Sequence, residues 1–372
     1  MISYWERESF LNYDFIIVGG GIVGFSTAIS LKEKYPKASV LVLEAGFLPS
    51  GASTKNAGFA CIGSLSEIVD DLQTHTEEEV IQLVRLRKDG LDLLRQRLGD
   101  EAIQYQATGS NELVFKHEER LLNEIDSVNA LLSSSLGEKI FKENPSGIEK
   151  NSLTPSLSTL IYNRLEGSIH TGEMMRHLIL KALSLGVEYK TKTKVTKIED
   201  EATKVAVILE DSSFVLRAQK VFICTNAFAK SLISSIDLQA GRGQVLVTQP
   251  IADLKLKGIF HFDQGYYYFR EINGRVLLGG GRNIDFEKET TTSQELNVSI
   301  QNDLDEKLRQ VILPNTSFEI DMRWTGIMAF GKQKNPILKN VSDNVIAGVR
   351  LGGMGIAIGS KLGQLLAERA EI

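Results

Sequence analysis

Residues 14–24 read Asp14-Phe-Ile-Ile-Val-Gly-Gly-Gly-Ile-Val-Gly24. An apolar run ends in Gly19-x-Gly21-x-x-Gly24, an apolar helix pattern follows at once, and a second apolar run, Val40-Leu-Val-Leu-Glu44, closes on a carboxylate. This is the layout of a βαβ unit that binds a dinucleotide. Gly19 permits a tight turn after the strand, Gly21 lets backbone approach a pyrophosphate, and Gly24 lets the helix pack on the sheet. The helix N-terminus adds unpaired N–H groups and the positive end of its dipole. Glu44 stands where a carboxylate accepts hydrogen bonds from ribose hydroxyls, and it disfavours a 2′-phosphate, which argues against NADP. Residues 15–31 are nearly uncharged, but their glycines and the preceding Glu6, Glu8 and Asp14 argue against a signal or membrane segment.

The 372 residues allow two domains with ample core. Composition, with 42% hydrophobic and 24% charged residues, is that of an ordinary globular protein. A net charge of −5 without a basic block argues against a nucleic-acid partner. Cys61 and Cys224 are the only cysteines, so a disulfide framework is excluded and a reducing, cytoplasmic setting is expected. The scattered histidines suggest no metal site.

Along the chain, Thr76-x-x-Glu79 is a capping box for a helix to about Leu98. Residues 142–160 read as a crossing loop. Gly186 stops a helix, and short strands follow to Cys224. From Gly241 a run of strands suggests an antiparallel sheet, with Asn273-Gly274 as its clearest hairpin turn. The pattern predicts an α/β Rossmann-like dinucleotide domain interleaved with an α+β, antiparallel-sheet substrate domain. Residues 1–100, 150–237 and 325–372 fall in the first, and 101–149 and 238–324 in the second.

Two later segments bear on which dinucleotide is bound. Gly51-Ala-Ser-Thr-Lys-Asn-Ala-Gly58 offers small and hydroxyl residues to a pyrophosphate and a planar ring. Leu351-Gly-Gly-Met-Gly-Ile-Ala357 feeds a second helix and aims N–H groups at an anion. With these residues the chain resembles the FAD-dependent D-amino acid oxidase family, which includes glycine oxidase, sarcosine oxidases and D-amino acid dehydrogenases. The likeness spans nearly the whole chain. It adds Val195, Thr225-Asn226-Ala227, Gly241-Arg-Gly-Gln244, Val276-Leu-Leu-Gly-Gly280 and Arg323-Trp-x-Gly326, in family order. Ser3-Tyr-Trp-Glu6 resembles a bacterial branch of it.

The resemblance implies non-covalent FAD, because the Cys or His that carries covalent flavin in some relatives is not found. Gly19, Gly21, Ile22, Val23, Gly24, Glu44 and Ala45 would hold the ADP half, and Val195 would meet the adenine through its backbone. Ser53, Thr54, Asn56, Ala57 and Gly58 would line pyrophosphate and flavin, with Thr225 and Asn226 nearby. Gly353, Met354, Gly355 and Ile356 would face the flavin pyrimidine edge. The implied reaction is oxidation of a C–N bond in a small amine or amino acid, by hydride transfer to flavin N5 followed by imine hydrolysis. No side-chain base is then required. The electron acceptor is oxygen or another oxidant.

The substrate residues depart from the family. Met328 stands where glycine-oxidase-like members have an Arg for the substrate carboxylate. Ala357 and Leu277 stand near two family lysines. Tyr266, Tyr268 and Arg270 alternate along a strand and point to one face, so Arg270 is an expected carboxylate anchor. Arg350 and, more weakly, Lys55 are other candidates. Two alternatives remain: a 2-hydroxy acid dehydrogenase on the same fold, and a non-catalytic flavin subunit of a larger complex.

Overall fold

The computed structural model describes residues 2–371 and holds two large sheets. The first is built on the strand Asn12–Val18, flanked in parallel by Val40–Leu43 and Val215–Ile223. Glu188–Lys190 and Val345–Val349 extend it in parallel on either side. Ile337–Asn340 pairs antiparallel with Val345–Val349, as does Val205–Leu209 with Val215–Ile223. The central strands are covered on both faces, which is why they read as unbroken apolar runs.

The second sheet runs in the order Ile320–Phe330, Gln239–Thr248, Arg275–Gly280, Tyr267–Ile272, Ile259–Phe262, Ser110–Phe115, Leu157–Asn163 and Phe141–Glu143. One face packs on the helix Val298–Lys307 through Leu246, Phe269, Leu278, Ile300 and Leu304. The hairpin turn falls at Asn273 and Gly274, both with positive φ (51° and 73°), as a type I′ turn requires.

The expected loop over 142–160 is corrected. It contains the helix Ser146–Lys150 and the start of Leu157–Asn163, which pairs with Ser110–Phe115. The boundary at 150 therefore cuts through the second sheet's own strands. Leu157, Leu160 and Ile161 are buried, but Thr159 and Asn163 are buried between and beside them. Those polar residues and the Ser, Asn and Pro around them hide the strand pattern.

Three helices pack together beside the first sheet's glycine loop. The helix Ile22–Lys34 lies parallel to the terminal helix Gly355–Glu368. A Cβ on Gly359 would sit 2.5 Å from Ile22 Cγ2, and one on Gly363 would sit 2.6 Å from Ser26 Cβ. At the far end Lys34 Nζ and Tyr35 Oη donate to the Ala370 carbonyl at 2.8 and 2.7 Å. The long helix Glu77–Leu98, capped by Thr76 and Glu79 as the sequence predicts, brings Gly90 against the Ala357 carbonyl. The two N-termini, at Ile22 and Gly355, therefore lie at the same end of the packed group.

Gly363→Val tests this packing. Its side chain has no room beside Ser26 Cβ and Thr27 N, so stability should fall by about 1–3 kcal/mol. The expected readout is a lower urea midpoint at unchanged m-value. An unchanged midpoint contradicts the close approach.

Candidate active site

Gly19 adopts φ +112°, and a Cβ there would lie 2.7 Å from the Cys224 carbonyl oxygen. A Cβ on Gly24 would collide with the Gly19 carbonyl, so turn and helix are pressed together. Gly21 caps the helix without a side chain, which leaves first-turn N–H groups facing outward. One of them, on Ile22, donates to Ser53 Oγ at 3.0 Å. Ile22 and Val23 bury their side chains in the core, so only their backbone faces the loop.

Glu44 holds the loop from its far side. Its Oε2 accepts from Gly20 N–H at 3.1 Å and its Oε1 from Gly46 N–H at 2.8 Å. Ala45 is exposed at the rim. Val195 packs into the core beside Leu41 and Leu43. Sequence reasoning missed Tyr189, whose ring packs at 5.0 Å on Phe25 and whose buried hydroxyl has no partner. Burial, with the nearby Glu44 charge, pushes that phenol up to about 12.

The short helix Ala52–Lys55 and Asn56–Gly58 lie against the second sheet. Here several side chains serve the backbone. Thr54 Oγ1 donates to the Pro49 carbonyl at 2.6 Å. Asn56 Oδ1 accepts from Gly58 N–H and from Thr171 Oγ1, both at 2.9 Å. Gly58 adopts φ +77°. Lys55 donates to Gln294 and accepts from Trp324 Nε1 on its carbonyl, so it leaves the set of substrate cations.

The sheet face opposite Ala57 and Phe59 carries Tyr268, Leu277, Val245, Val247 and Trp324. Register extends it through Gly243, Gly241 and Met328 to Phe330. Glycines flatten this wall: Gly279 lies under the Tyr268 ring, and a Cβ on Gly243 would lie 2.9 Å from Met328 Cε. Trp324, Met328, Phe330 and Tyr268 are all only partly buried, unlike the core side chains of the opposite face. They make this the less closed face of the sheet, on the side of Ala57 and Phe59.

Tyr266 does not join Tyr268. It precedes the strand Tyr267–Ile272 and packs edge-on to Phe286 at 5.9 Å. The turn at Asp263, Gln264 and Gly265 breaks the alternation before it begins. Arg270 does share the Tyr268 face, but it is buried and committed. Its Nη1 donates to the carbonyls of Ile169 at 2.8 Å and Gly58 at 3.2 Å, and its Nε to that of Glu271. It clamps the Gly58 turn to the ribbon that follows Gly167–Ser168. It also borders a polar cleft of about 120 Å³ with Gln104, Gln106 and His170.

Arg350 is likewise occupied. It takes φ +65° and donates to Asp237 Oδ2 at 2.7 Å and to the Asn335 carbonyl at 2.9 and 3.1 Å. Its own N–H donates to Asn226 Oδ1 at 3.0 Å. Asn226 is left-handed too, with φ +46°. That mutual brace carries the chain into the glycine turn, where Gly352 N–H meets the Ala329 carbonyl at 3.0 Å. Ile356 turns its side chain into the core and offers only backbone, while Met354 packs against that core and stays partly exposed.

These residues fit a dinucleotide with a planar head. Cβ atoms on Gly352, Gly353 and Gly355 would meet nothing within 4 Å, so space lies before the second helix N-terminus. Thr225 Oγ1, between the two helix ends, is buried without a partner. Among the described residues no group of side chains could hold a metal, and no helix is long and apolar enough to cross a membrane.

The comparisons agree with this geometry. A family model described as FAD dependent oxidoreductase matches residues 14–369. The probable oxidoreductase OrdL of Haemophilus influenzae is 21% identical over 95% of this chain and 82% of its own. The crystal structure of glycine oxidase from Geobacillus kaustophilus shares the fold, with a TM-score of 0.78, 20% identity, and coverage of 97% and 96%. The L-2-hydroxyglutarate dehydrogenase of Escherichia coli matches locally, 50% over 38 residues, which is 10% of this chain and 9% of that one.

Arg270→Met tests the clamp. Losing buried, charged hydrogen bonds should cost about 1.5–3 kcal/mol, seen as weaker cofactor retention and a lower melting temperature. Selective loss of acidic-substrate binding in an otherwise intact holoprotein would instead return Arg270 to the pocket wall.

Proposed function

The chain belongs to the FAD dependent oxidoreductase family, and from that premise we propose that it oxidises the C–N bond of a small amine or amino acid. FAD, when bound, would supply the hydride acceptor. The remaining requirements fall on the protein. Ile22 N–H is taken by Ser53 Oγ, so the N–H groups of Val23 and Gly24, and those at the Gly355 helix end, would be the ones to meet the pyrophosphate and the flavin's pyrimidine edge, where negative charge develops. Ala57, packed on the sheet beside Val245, Val247 and Leu277, and Gly58 would border the ring. Tyr268, Met328 and Trp324 shape the substrate's side of the space and exclude bulk water from it.

The observation that carries this reading is the chemistry of the wall. Its partly exposed side chains include no carboxylate or imidazole. His261 lies one strand beyond Tyr268 on the same face, but it is buried, and burial lowers it to about 4. A ring that weakly basic is poorly matched to taking the proton of an alcohol. A neutral amine needs no such base: with hydride passing to the acceptor that FAD would supply, its nitrogen lone pair forms the imine, the N–H proton passes to water, and water hydrolyses the imine. The cofactor is held non-covalently, and the electron acceptor is oxygen or another small oxidant.

A 2-hydroxy acid substrate is the second reading, favoured by the local match to L-2-hydroxyglutarate dehydrogenase. Anaerobic bleaching of the flavin separates the two. The expected result is rapid bleaching by at least one amine or amino acid, with ammonia or a smaller amine released. Bleaching by 2-hydroxy acids alone would overturn the C–N reading, and no bleaching by either class would favour a non-catalytic flavin subunit.

A further inference from the structure

We propose that Arg282 is the carboxylate anchor of the substrate space, so that the protein selects carboxylate-bearing substrates through a residue on the turn Arg282–Ile284. The inference rests on the reading of this sheet face as the substrate wall. It does not depend on whether a C–N or a C–O bond is oxidised there.

The two cations that the sequence favoured are both committed to the protein. Arg270 clamps backbone carbonyls, and Arg350 is paired with Asp237 and Asn335. Arg282 is different. Its guanidinium lies 3.9 Å from the Phe330 ring centroid and 4.8 Å from that of Phe286. Among the described residues it makes no side-chain hydrogen bond or ion pair. Glu289, a carboxylate close enough to influence it, is already held by Arg242, Gln244 and Asn297 at 2.7–3.0 Å.

Its place in the fold aims it at the wall. Gly281, left-handed at φ +74°, turns the chain off the strand Arg275–Gly280 and starts the turn. A Cβ on Gly241 would lie 2.5 Å from Phe330 and 2.8 Å from Arg282 Nη1, so the glycine exists to let this stack lie flat on the sheet. Gly241 pairs with Met328, and Ala329 meets Gly352 of the glycine turn. The stack therefore borders the end of the wall nearest that turn. Tyr268, whose hydroxyl would be 3.8 Å from a Cβ on Gly243, lies on the same face.

A half-buried guanidinium without a partner is costly unless a ligand completes it. Burial indeed pulls its affinity for the proton below the usual arginine range. Stacking on aromatic faces leaves the planar edge free, and that edge matches a carboxylate through two parallel hydrogen bonds. Met328 and Phe330 supply the apolar surroundings in which such a pair is strongest.

The test is titration of the FAD-loaded protein with acetate, propionate and benzoate, and with acetamide and benzamide as neutral controls. The flavin's visible spectrum reports binding without turnover. The expected result is a saturable shift with the carboxylates only, weakened about 100-fold in Arg282→Met and partly restored in Arg282→Lys, with FAD content and melting temperature unchanged. Gly241→Ala, which crowds the stack and leaves the charge, should weaken carboxylate binding by a smaller factor. Equal response to acids and amides, or wild-type carboxylate affinity in Arg282→Met, overturns the proposal. If the carboxylate response follows Arg282 but only 2-hydroxy acids bleach the flavin, the C–N reading falls and this one stands. If simple amines bleach wild type and Arg282→Met alike and no carboxylate binds, the reverse holds.

Discussion

The close parallel packing of two helices governs the rest of this structure. Ile22–Lys34 begins at the glycine loop, near the N-terminus of the chain, and Gly355–Glu368 ends near its C-terminus. Gly359 and Gly363 let their backbones touch, and Lys34 ties the last carbonyls down. The packing brings two helix N-termini to one place. Each contributes unpaired N–H groups and a partial positive charge, so segments more than 300 residues apart would serve one anionic cofactor in the proposed reading. A chain in which either helix slid by a turn would keep its sheets and lose this convergence.

The second sheet supplies the complementary surface. Its inner face is an ordinary apolar core, but its outer face is carved by glycines at 241, 243, 279 and 326. Side chains lie flat there instead of standing up, and Ala57 packs on this face beside Val245, Val247 and Leu277. The braces around the site are polar: Asn56 to Thr171, Arg270 to Ile169, Asn226 to Arg350. Rigid braces of this kind are what a site needs if its ligands are to meet at fixed distance.

Local physics was legible in the sequence, and long-range partnership was not. The glycine loop, Glu44, the Thr76–Glu79 capping box and the Asn273-Gly274 turn each declare themselves within a few residues, because their causes are backbone geometry and nearby hydrogen bonds. Asn226 was also readable, since a side chain that tolerates left-handed backbone stands where a turn needs it. Arg270 and Arg350 misled because their partners, Ile169 and Asp237, lie about a hundred residues away. An unpaired cation and a structural clamp look the same in one dimension. The strand Leu157–Asn163 was hidden by its buried polar residues, and Tyr266 by a turn that breaks alternation. Arg282 had one local signal, the run Gly279-Gly-Gly281 before it, which marks a backbone that turns sharply off a strand.

The central claim is that two converging helix ends and a flattened sheet hold one FAD without a covalent bond. Its most direct test is denaturing release from the purified protein. The account predicts a flavin spectrum in the native protein, about one flavin per chain, and complete recovery of that flavin as FAD in the supernatant after heat or acid. A colourless protein that neither binds added FAD nor quenches its fluorescence would contradict the account, as would flavin that stays with the precipitated chain.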